Sequence, residues 1–197
     1  MRFFSPAEND ASSFCLRLRY TTHMKTPQGS TLFSAVVPAP FGAIGIRTDA
    51  GIVRELVYLP PHFGEKEAAD SVADEAARQV ESYLRDADFR FTLALPEVGS
   101  AFQRKVWAAI SAIPRGTVRT YGDVARHIGS APRAVGQACG ANWYPLVVPC
   151  HRVTAAGGLG GFASHDDENG FHLSVKRWLL AHEGVNNSPW QQKTIFG

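Results

Sequence analysis

The sequence predicts an α+β fold, because strand patterns fill its first half and helix patterns dominate the second. Three apolar or alternating segments, TLFSAVV, FGAIGIRT and GIVRELVYLP, are separated by the turn-forming stretches PAP and DAG. This arrangement is typical of an antiparallel sheet whose strands follow one another in the chain. A helix pattern follows in DSVADEAARQVESYLRD, where apolar residues recur every three or four positions.

These elements predict a small α+β unit over residues 31–96, closed by a last short strand in FRFTLALP. Residues 1–30 show no clear periodicity, so we expect a poorly ordered tail there. The break at Pro96 predicts a boundary, with a helical domain over residues 97–186 and a C-terminal tail over residues 187–197.

The helical half predicts three helices, and the second and third, which are short and joined by a glycine-containing turn, form a helix-turn-helix pattern. SAFQRKVWAAISAI predicts a helix capped by Ser100, and YGDVARHIG predicts a short helix that ends on a glycine. SAPRAVGQACGAN predicts the next helix, with Ser130 as its cap and Pro132 in its first turn. We expect one side of that helix to be almost bare and able to approach a protein or nucleic-acid surface closely. Its small residues are Ala134, Gly136, Ala138 and Gly140.

Three further elements are predicted after this helix. YPLVVPCHRV predicts a short buried strand, TAAGGLGGFASHDDENGF a glycine-rich loop, and SVKRWLLAHEG an amphipathic helix ending at Gly184.

The charge is distributed unevenly along the chain. Residues 1–96 carry ten Lys and Arg against twelve Asp and Glu, whereas residues 101–153 carry seven Lys and Arg against Asp123 alone. Such a basic block indicates either a polyanionic partner or a solvated basic face.

Other classes of protein are disfavoured by the composition. No apolar run has the length of a membrane span, and the N-terminus lacks a secretory h-region. The three cysteines, Cys15, Cys139 and Cys150, form neither a disulfide framework nor a zinc motif, which suits a reducing, cytoplasmic location.

Cys150 is the strongest candidate for chemistry, although a buried structural cysteine is the alternative. A thiol reacts as its thiolate, so it needs a nearby base, and His151 is adjacent in sequence. Neighbouring side chains of a strand point to opposite faces, so a water or a turn at the cysteine would be required to connect them. The histidine also needs an orienting acid. Glu183 is the candidate, at the end of a helix that must pack on this core.

VPCHRV resembles the active-site signature of the O6-alkylguanine-DNA alkyltransferases, the methylated-DNA–protein-cysteine methyltransferases. The resemblance extends from FQRKVWAAISAIPRGTVRTYGDVARHIG through RAVGQACGAN to VKRWLLAHEG. It implies a small RNase H-like N-terminal domain and a helical, winged-helix-like C-terminal domain that binds DNA and holds the active site. It also implies a monomeric enzyme that moves an alkyl group from O6-alkylguanine, and from O4-alkylthymine, to its own cysteine once per molecule.

The resemblance implies a role for each matching residue. Cys150 would accept the alkyl group, His151 acting through water and Glu183 would activate it, and Asn142 would be the hinge of the recognition helix. Tyr121 would contact the flipped guanine, and Arg133 would fill the gap that the base leaves. The remaining expected DNA or substrate contacts are Ala134, Gly136, Arg152, and Ala163 or Ser164.

The implied partner is double-stranded DNA that contains alkylated guanine or thymine, entered from the minor groove with the base flipped out. No cofactor, metal, membrane or obligate protein partner is expected. A cysteine hydrolase remains an alternative from the residues alone, although we see no oxyanion hole for it. A second alternative is a lesion-binding, alkyltransferase-like protein, but those relatives lack the cysteine.

The glycine-rich loop departs from the family pattern. It is longer and contains the acidic stretch HDDE, and Phe162 stands in place of a tyrosine. The base-contacting serine would therefore fall on Ala163 or Ser164. This loop also brings together His165, Asp166, Asp167 and His172, a weak metal-site alternative.

Overall fold

The computed structural model describes residues 32–185, so both predicted tails lie outside the described residues. This part of the chain is a mixed α/β protein with a small antiparallel sheet and five α-helices. In chain order the elements are β1 (Ala35–Ala39), β2 (Gly42–Asp49), β3 (Ile52–Leu59), α1 (Ser71–Arg85), α2 (Ala101–Ser111), β4 (Arg119–Thr120), α3 (Tyr121–Ile128), α4 (Pro132–Gly140), a 3-10 turn (Cys150–Arg152), β5 (Val153–Thr154) and α5 (Phe171–His182).

The predicted antiparallel sheet is confirmed. Its strand order is β1-β2-β3, with Ala35 opposite Ile46 and Ile44 opposite Tyr58. The turn between β2 and β3 places Ala50 and Gly51 at positive φ, the backbone conformation that tight hairpin turns require. The sheet can therefore present one face to the helices, and α1 packs against it.

The predicted closing strand FRFTLALP is wrong. Residues 89–96 form neither helix nor strand and pair with no strand of the described chain. Instead Gln79 of α1 binds this segment, because its Oε1 accepts from the Thr92 backbone N–H at 2.8 Å and its Nε2 donates to Thr92 Oγ1 at 2.9 Å. A helix side chain has replaced the sheet ladder as the source of hydrogen bonds.

The predicted helix-turn-helix is confirmed in α3 and α4, but its predicted cap is wrong. Gly129 ends α3 in the left-handed conformation, with φ of 67°. The Ser130 backbone N–H then donates to Ala125 O at 2.8 Å, so Ser130 completes the end of α3. Ala131 is therefore the N-cap of α4, and Pro132 occupies the first helical position, where no N–H partner is needed.

The prediction that the four small residues of α4 share one side of the helix is also wrong. Consecutive α-helical residues are about 100° apart, so residues spaced by two lie on opposite sides of the helix. Ala138 is buried with Val135 on the core side, and its carbonyl accepts from Trp107 Nε1 at 2.9 Å. Gly136 and Gly140, spaced by four, lie on the other side and line a cleft.

A continuous core joins the sheet half and the helical half of the described chain. The connection reaches the backbone, since the Leu56 N–H of β3 donates to Trp143 O at 2.9 Å. The segment that leads to Cys150 is thus fixed to the edge of the sheet. Within residues 32–185, no helix has both the length and the apolar character needed to cross a bilayer.

Candidate active site

Cys150 opens a 3-10 turn rather than ending a strand, so the predicted strand in YPLVVPCHRV is wrong. Pro145 and Pro149 cannot donate backbone hydrogen bonds to a ladder. The Asn142 side chain supplies local bonds in its place, donating to Val148 O at 2.9 Å and accepting from the Tyr144 N–H at 2.9 Å. From the sequence, His151 could act as the base of the cysteine only through a water or a turn at that residue, and the 3-10 turn is such a turn.

The Cys150 sulfur is nearly buried, with 6% of the residue exposed. A hydrogen bond with the Cys139 side chain and burial both raise the pKa of the Cys150 thiol. Two groups act in the opposite direction: Asn142, whose Nδ2 donates to the sulfur at 3.3 Å, and the positive charge of Lys176. The thiol therefore stays protonated at rest and needs a base to react.

His151 has the geometry of such a base. Its Nε2 lies 2.8 Å from Glu183 Oε1, and both side chains are fully buried. Burial lowers the pKa of His151 although Glu183 opposes this, so the imidazole is neutral at physiological pH. The contact with the carboxylate assigns the ring proton to Nε2, which leaves Nδ1 as an acceptor. Nδ1 is buried and has no partner in the described chain.

Glu183 receives hydrogen bonds from three residues. Besides His151, Tyr83 OH donates to Oε1 at 2.8 Å, and Arg152 donates from Nη2 to Oε1 and from Nε to Oε2, both at 2.8 Å. Burial alone would raise the pKa of this carboxyl, but the bonds from His151 and Arg152 lower it overall. The carboxylate stays ionised and holds the imidazole in one orientation.

Arg152 was an expected DNA or substrate contact, but its side chain is turned toward the interior. Its guanidinium donates to Glu183 and, from Nη1, to Ile113 O at 2.6 Å, and 14% of the side chain is exposed. The residue faces inward because a buried carboxylate requires a compensating positive charge.

An open cleft of about 710 Å³ lies in front of Cys150. Most of the expected substrate residues line it together with the cysteine; they are Tyr121, Arg133, Gly136, Ala163 and Ser164. Ala134 is not among the lining residues, and Asn142 lines a smaller, adjoining pocket that shares Cys150 with the cleft. Tyr121 donates to Gly161 O at 2.8 Å, and burial raises the pKa of its hydroxyl. The hydroxyl is thus a proton donor at neutral pH.

The loop wall of this cleft is held tightly against α4. Ala163 and Ser164 both have positive φ, an uncommon conformation for residues with side chains. Ser164 Oγ donates to Gly140 O at 3.4 Å. A Cβ at position 140 would lie 2.3 Å from Ser164 Oγ. Glycine at position 140 therefore permits the loop to approach the helix.

Lys176 is a site residue that the sequence interpretation missed. It is fully buried in α5, and its Nζ donates to Val153 O at 2.8 Å, Leu159 O at 2.6 Å and Gly161 O at 3.2 Å. Burial lowers its pKa to about 8, so it is mostly charged at neutral pH. The sequence does contain a signal for it: this lysine lies three positions after Leu173 and four positions before Leu180, within the apolar stripe of the helix.

The weak metal-site alternative has no support in the geometry. His165 and His172 stack face to face with ring centroids 3.7 Å apart. In the described part of the chain, no three His, Cys, Asp or Glu side chains are placed to hold a metal ion.

Known proteins match both the sequence and the fold. The family profile described as "6-O-methylguanine DNA methyltransferase, DNA binding domain" matches residues 101–185. The methylated-DNA–protein-cysteine methyltransferase of Methanosarcina acetivorans is 38% identical over 164 residues, which are 78% of this chain and 99% of that relative.

Two crystal structures from Mycobacterium tuberculosis are also similar. OGT in complex with DNA has a TM-score of 0.62 at 32% identity, covering 78% of this chain and 93% of that one. O6-methylguanine methyltransferase has a TM-score of 0.63 at 28% identity, covering 81% and 96%.

The fold and the site define a class of protein in which a buried cysteine that lines an open cleft, followed by a histidine bound to a glutamate, lies beside a helix-turn-helix. The extent of the match to the Methanosarcina relative makes the assignment specific. The chain belongs to the methylated-DNA–protein-cysteine methyltransferase family, as the sequence resemblance indicated.

Proposed function

We propose that this protein repairs DNA by moving a methyl or other alkyl group from O6-alkylguanine to Cys150, and that each molecule reacts once. The observation that carries the proposal is the Cys150 sulfur at the base of an open cleft, with His151 and Glu183 buried behind it. Its relatives are methylated-DNA–protein-cysteine methyltransferases, and one similar structure holds DNA.

In the reaction, the thiol proton passes through a water to His151 Nδ1, and the imidazolium is stabilised by Glu183. The thiolate attacks the alkyl carbon, a C–S bond forms, and the C–O6 bond breaks with its electron pair going to O6. The Tyr121 hydroxyl is the candidate donor of the proton that the guanine then requires, and its phenolate recovers a proton from solvent while the His151 imidazolium releases one. The thioether product has no carbonyl for water to attack, so nothing regenerates the thiol.

The way that DNA reaches the sulfur is part of the proposal. Repair at O6 requires the base to leave the stack. Helix α4 would enter the minor groove, with Gly136 close to the backbone and the exposed Arg133 as a cationic wedge in the vacated space. We expect residues 31–96 to be the RNase H-like scaffold, residues 97–186 the winged-helix-like catalytic domain, and the protein to act as a cytoplasmic monomer. O4-alkylthymine is a second expected substrate.

The test is the intact mass of the protein after it is mixed with a duplex containing one O6-methylguanine. We expect a gain of a single methyl group that does not increase with excess substrate and that maps to the Cys150 peptide. Tight binding to the lesion without a mass gain would instead support a lesion-binding protein, and turnover of an ester would support a hydrolase.

Replacement of Arg133 by alanine should slow repair of duplex DNA by roughly tenfold or more, because the cost of base flipping is a few kcal/mol. Reaction with free O6-benzylguanine, which needs no flipping, should change little. The matched control is Arg126→Ala, which removes an exposed arginine of α3 that pairs with Asp123. Equal losses on duplex and free base would contradict the wedge role.

A further inference from the structure

We infer that Tyr83 is a positioning residue for the reaction: its hydroxyl, from the sheet half of the chain, fixes the Glu183 carboxylate that orients the His151 base. The inference rests on the proposed function, because it concerns the activation of Cys150. Tyr83 lies near the end of α1, within the residues that were expected to form only a scaffold. The sheet half would then take part in the reaction through a hydrogen bond to the site.

The Tyr83 hydroxyl donates directly to the carboxylate. Its oxygen lies 2.8 Å from Glu183 Oε1, and 2% of Tyr83 and 0% of Glu183 are exposed. An ionised carboxylate only accepts hydrogen bonds, so the hydroxyl must be the donor. Burial, and then the charge of Glu183, raise the pKa of Tyr83, so the phenol keeps this proton. The bond is therefore charge-assisted and lies in a low-dielectric interior, where such bonds are strong.

Further contacts tie the same region of the chain to the end of α5. His182 Nε2 lies 2.7 Å from Tyr83 O, and because a carbonyl only accepts, this nitrogen carries a proton. The two rings also meet edge to face, with centroids 5.4 Å apart. Arg115 pairs with Asp88, just after α1, and donates to Glu183 O at 3.1 Å. Both the side chain and the backbone of Glu183 are thus held from the sheet half.

Tyr83 and His151 share one carboxylate oxygen. His151 Nε2 lies 2.8 Å from the same Glu183 Oε1. The Tyr83 bond lowers the charge density of that oxygen, so Glu183 stabilises an imidazolium less and the neutral imidazole is favoured. The neutral ring is the form that can take the thiol proton, and a carboxylate that cannot rotate keeps the ring proton on Nε2. No bond to Tyr83 forms or breaks in the reaction.

Several elements bring titratable groups to His151 and Glu183. They are Tyr83 from α1, Tyr58 from β3, Arg115 from the turn after α2, Cys150 and Arg152 from the 3-10 turn, and Lys176 and His182 from α5. Burial lowers the pKa of His151 most, Glu183 opposes it, and Arg152 and Lys176 act with burial. Of the described residues that donate to the carboxylate, Tyr83 alone is neither a cation nor the base itself. Its hydroxyl can therefore be removed without changing the net charge of the site.

The experiment compares Tyr83→Phe with wild type and with Tyr144→Phe. Tyr144 is the matched control, because it is also buried, while its hydroxyl donates to Val53 O at 3.4 Å. The pKa of His151 is measured by nitrogen NMR on the unreacted protein. The chain has seven histidines, so the signal is assigned by its loss in His151→Gln. The rate of Cys150 alkylation by free O6-benzylguanine is followed by peptide mass from about pH 5 to about pH 9.

We expect Tyr83→Phe to raise the His151 midpoint and the acid midpoint of the rate profile by about one unit each. Below the midpoint the rate should be about tenfold lower, because more of the base is protonated. Tyr144→Phe should follow wild type. A ring-fluorinated tyrosine in place of Tyr83 is a stronger donor and should move both midpoints downward. That variant keeps the hydroxyl, so it tests the inference even where Tyr83→Phe folds poorly.

Unchanged midpoints in Tyr83→Phe, or an equal loss of rate at every pH, would overturn the inference, because a packing role alone would produce that result. Failure of wild type to take a methyl from duplex DNA would refute the proposed function instead. The NMR titration of His151 involves no alkyl transfer, so it would still test Tyr83.

Discussion

A Cys150→Ser variant is expected to bind an O6-methylguanine duplex as wild type does and to leave the lesion unrepaired. Serine fits the space of the cysteine, so the cleft and α4 should be undisturbed. The neutral His151 can assist a thiol even though Cys139 and burial raise the pKa of Cys150, but an alkanol is a far weaker acid and nucleophile. We expect transfer to fall by at least about a thousandfold.

The measurement is methyl loss from the duplex together with intact protein mass, and binding is followed separately by fluorescence anisotropy. Cys139→Ser is the matched control, because Cys139 is the second buried thiol of the same cleft. That variant should still gain one methyl group on the Cys150 peptide. A methylated Cys139 peptide in Cys150→Ser, at the wild-type rate, would show that the acceptor had been assigned to the wrong cysteine.

The elements that the sequence predicted correctly depend on local patterns. The helix α1 follows from its apolar spacing, and α2 from that spacing and the Ser100 cap, whose side chain accepts from the Gln103 N–H. The hairpin of β2 and β3 follows from a turn with Gly51 at positive φ. In each case the neighbours within a few positions decide the conformation, so the sequence carries the information.

What the sequence did not predict has two origins: local signals that were misread, and contacts between distant residues. The apolar residues in YPLVVPCHRV suggested a strand, but the two prolines of this segment and the Asn142 side chain impose turns. The direction of Arg152 depends on where Glu183 lies, 31 positions away. Glu183 itself could be predicted, since few acids were available and its helix had to pack on the core.

Replacement of Glu183 by glutamine should destabilise the fold and slow transfer together. The amide cannot compensate the largely buried guanidinium of Arg152, and breaking a buried ion pair by removing one partner costs about 3–5 kcal/mol. His151 also loses the negative charge that stabilises its imidazolium, so the transfer rate should fall by roughly a hundredfold. Urea unfolding and the single-turnover rate measure the two effects.

The control is Glu55→Gln, which removes the carboxylate of a partly exposed pair with Arg47. Surface pairs contribute about 0–1 kcal/mol, so this variant should unfold close to wild type. If Glu183→Gln were equally stable, the buried carboxylate would not be what holds Arg152 and His151 in place.

The pH dependence of the Glu183 variant provides an independent check. The pKa of Glu183 is lower in the folded protein than in the unfolded chain, where a glutamate titrates near ~4.3. The folded state therefore binds fewer protons, and the stabilisation is fully present above that pH and is lost as the pH falls below it. The stability difference between wild type and Glu183→Gln should accordingly be constant near neutral pH and shrink below about pH 4. A difference that stayed constant into acid would mean that the carboxylate is not held ionised by its three partners.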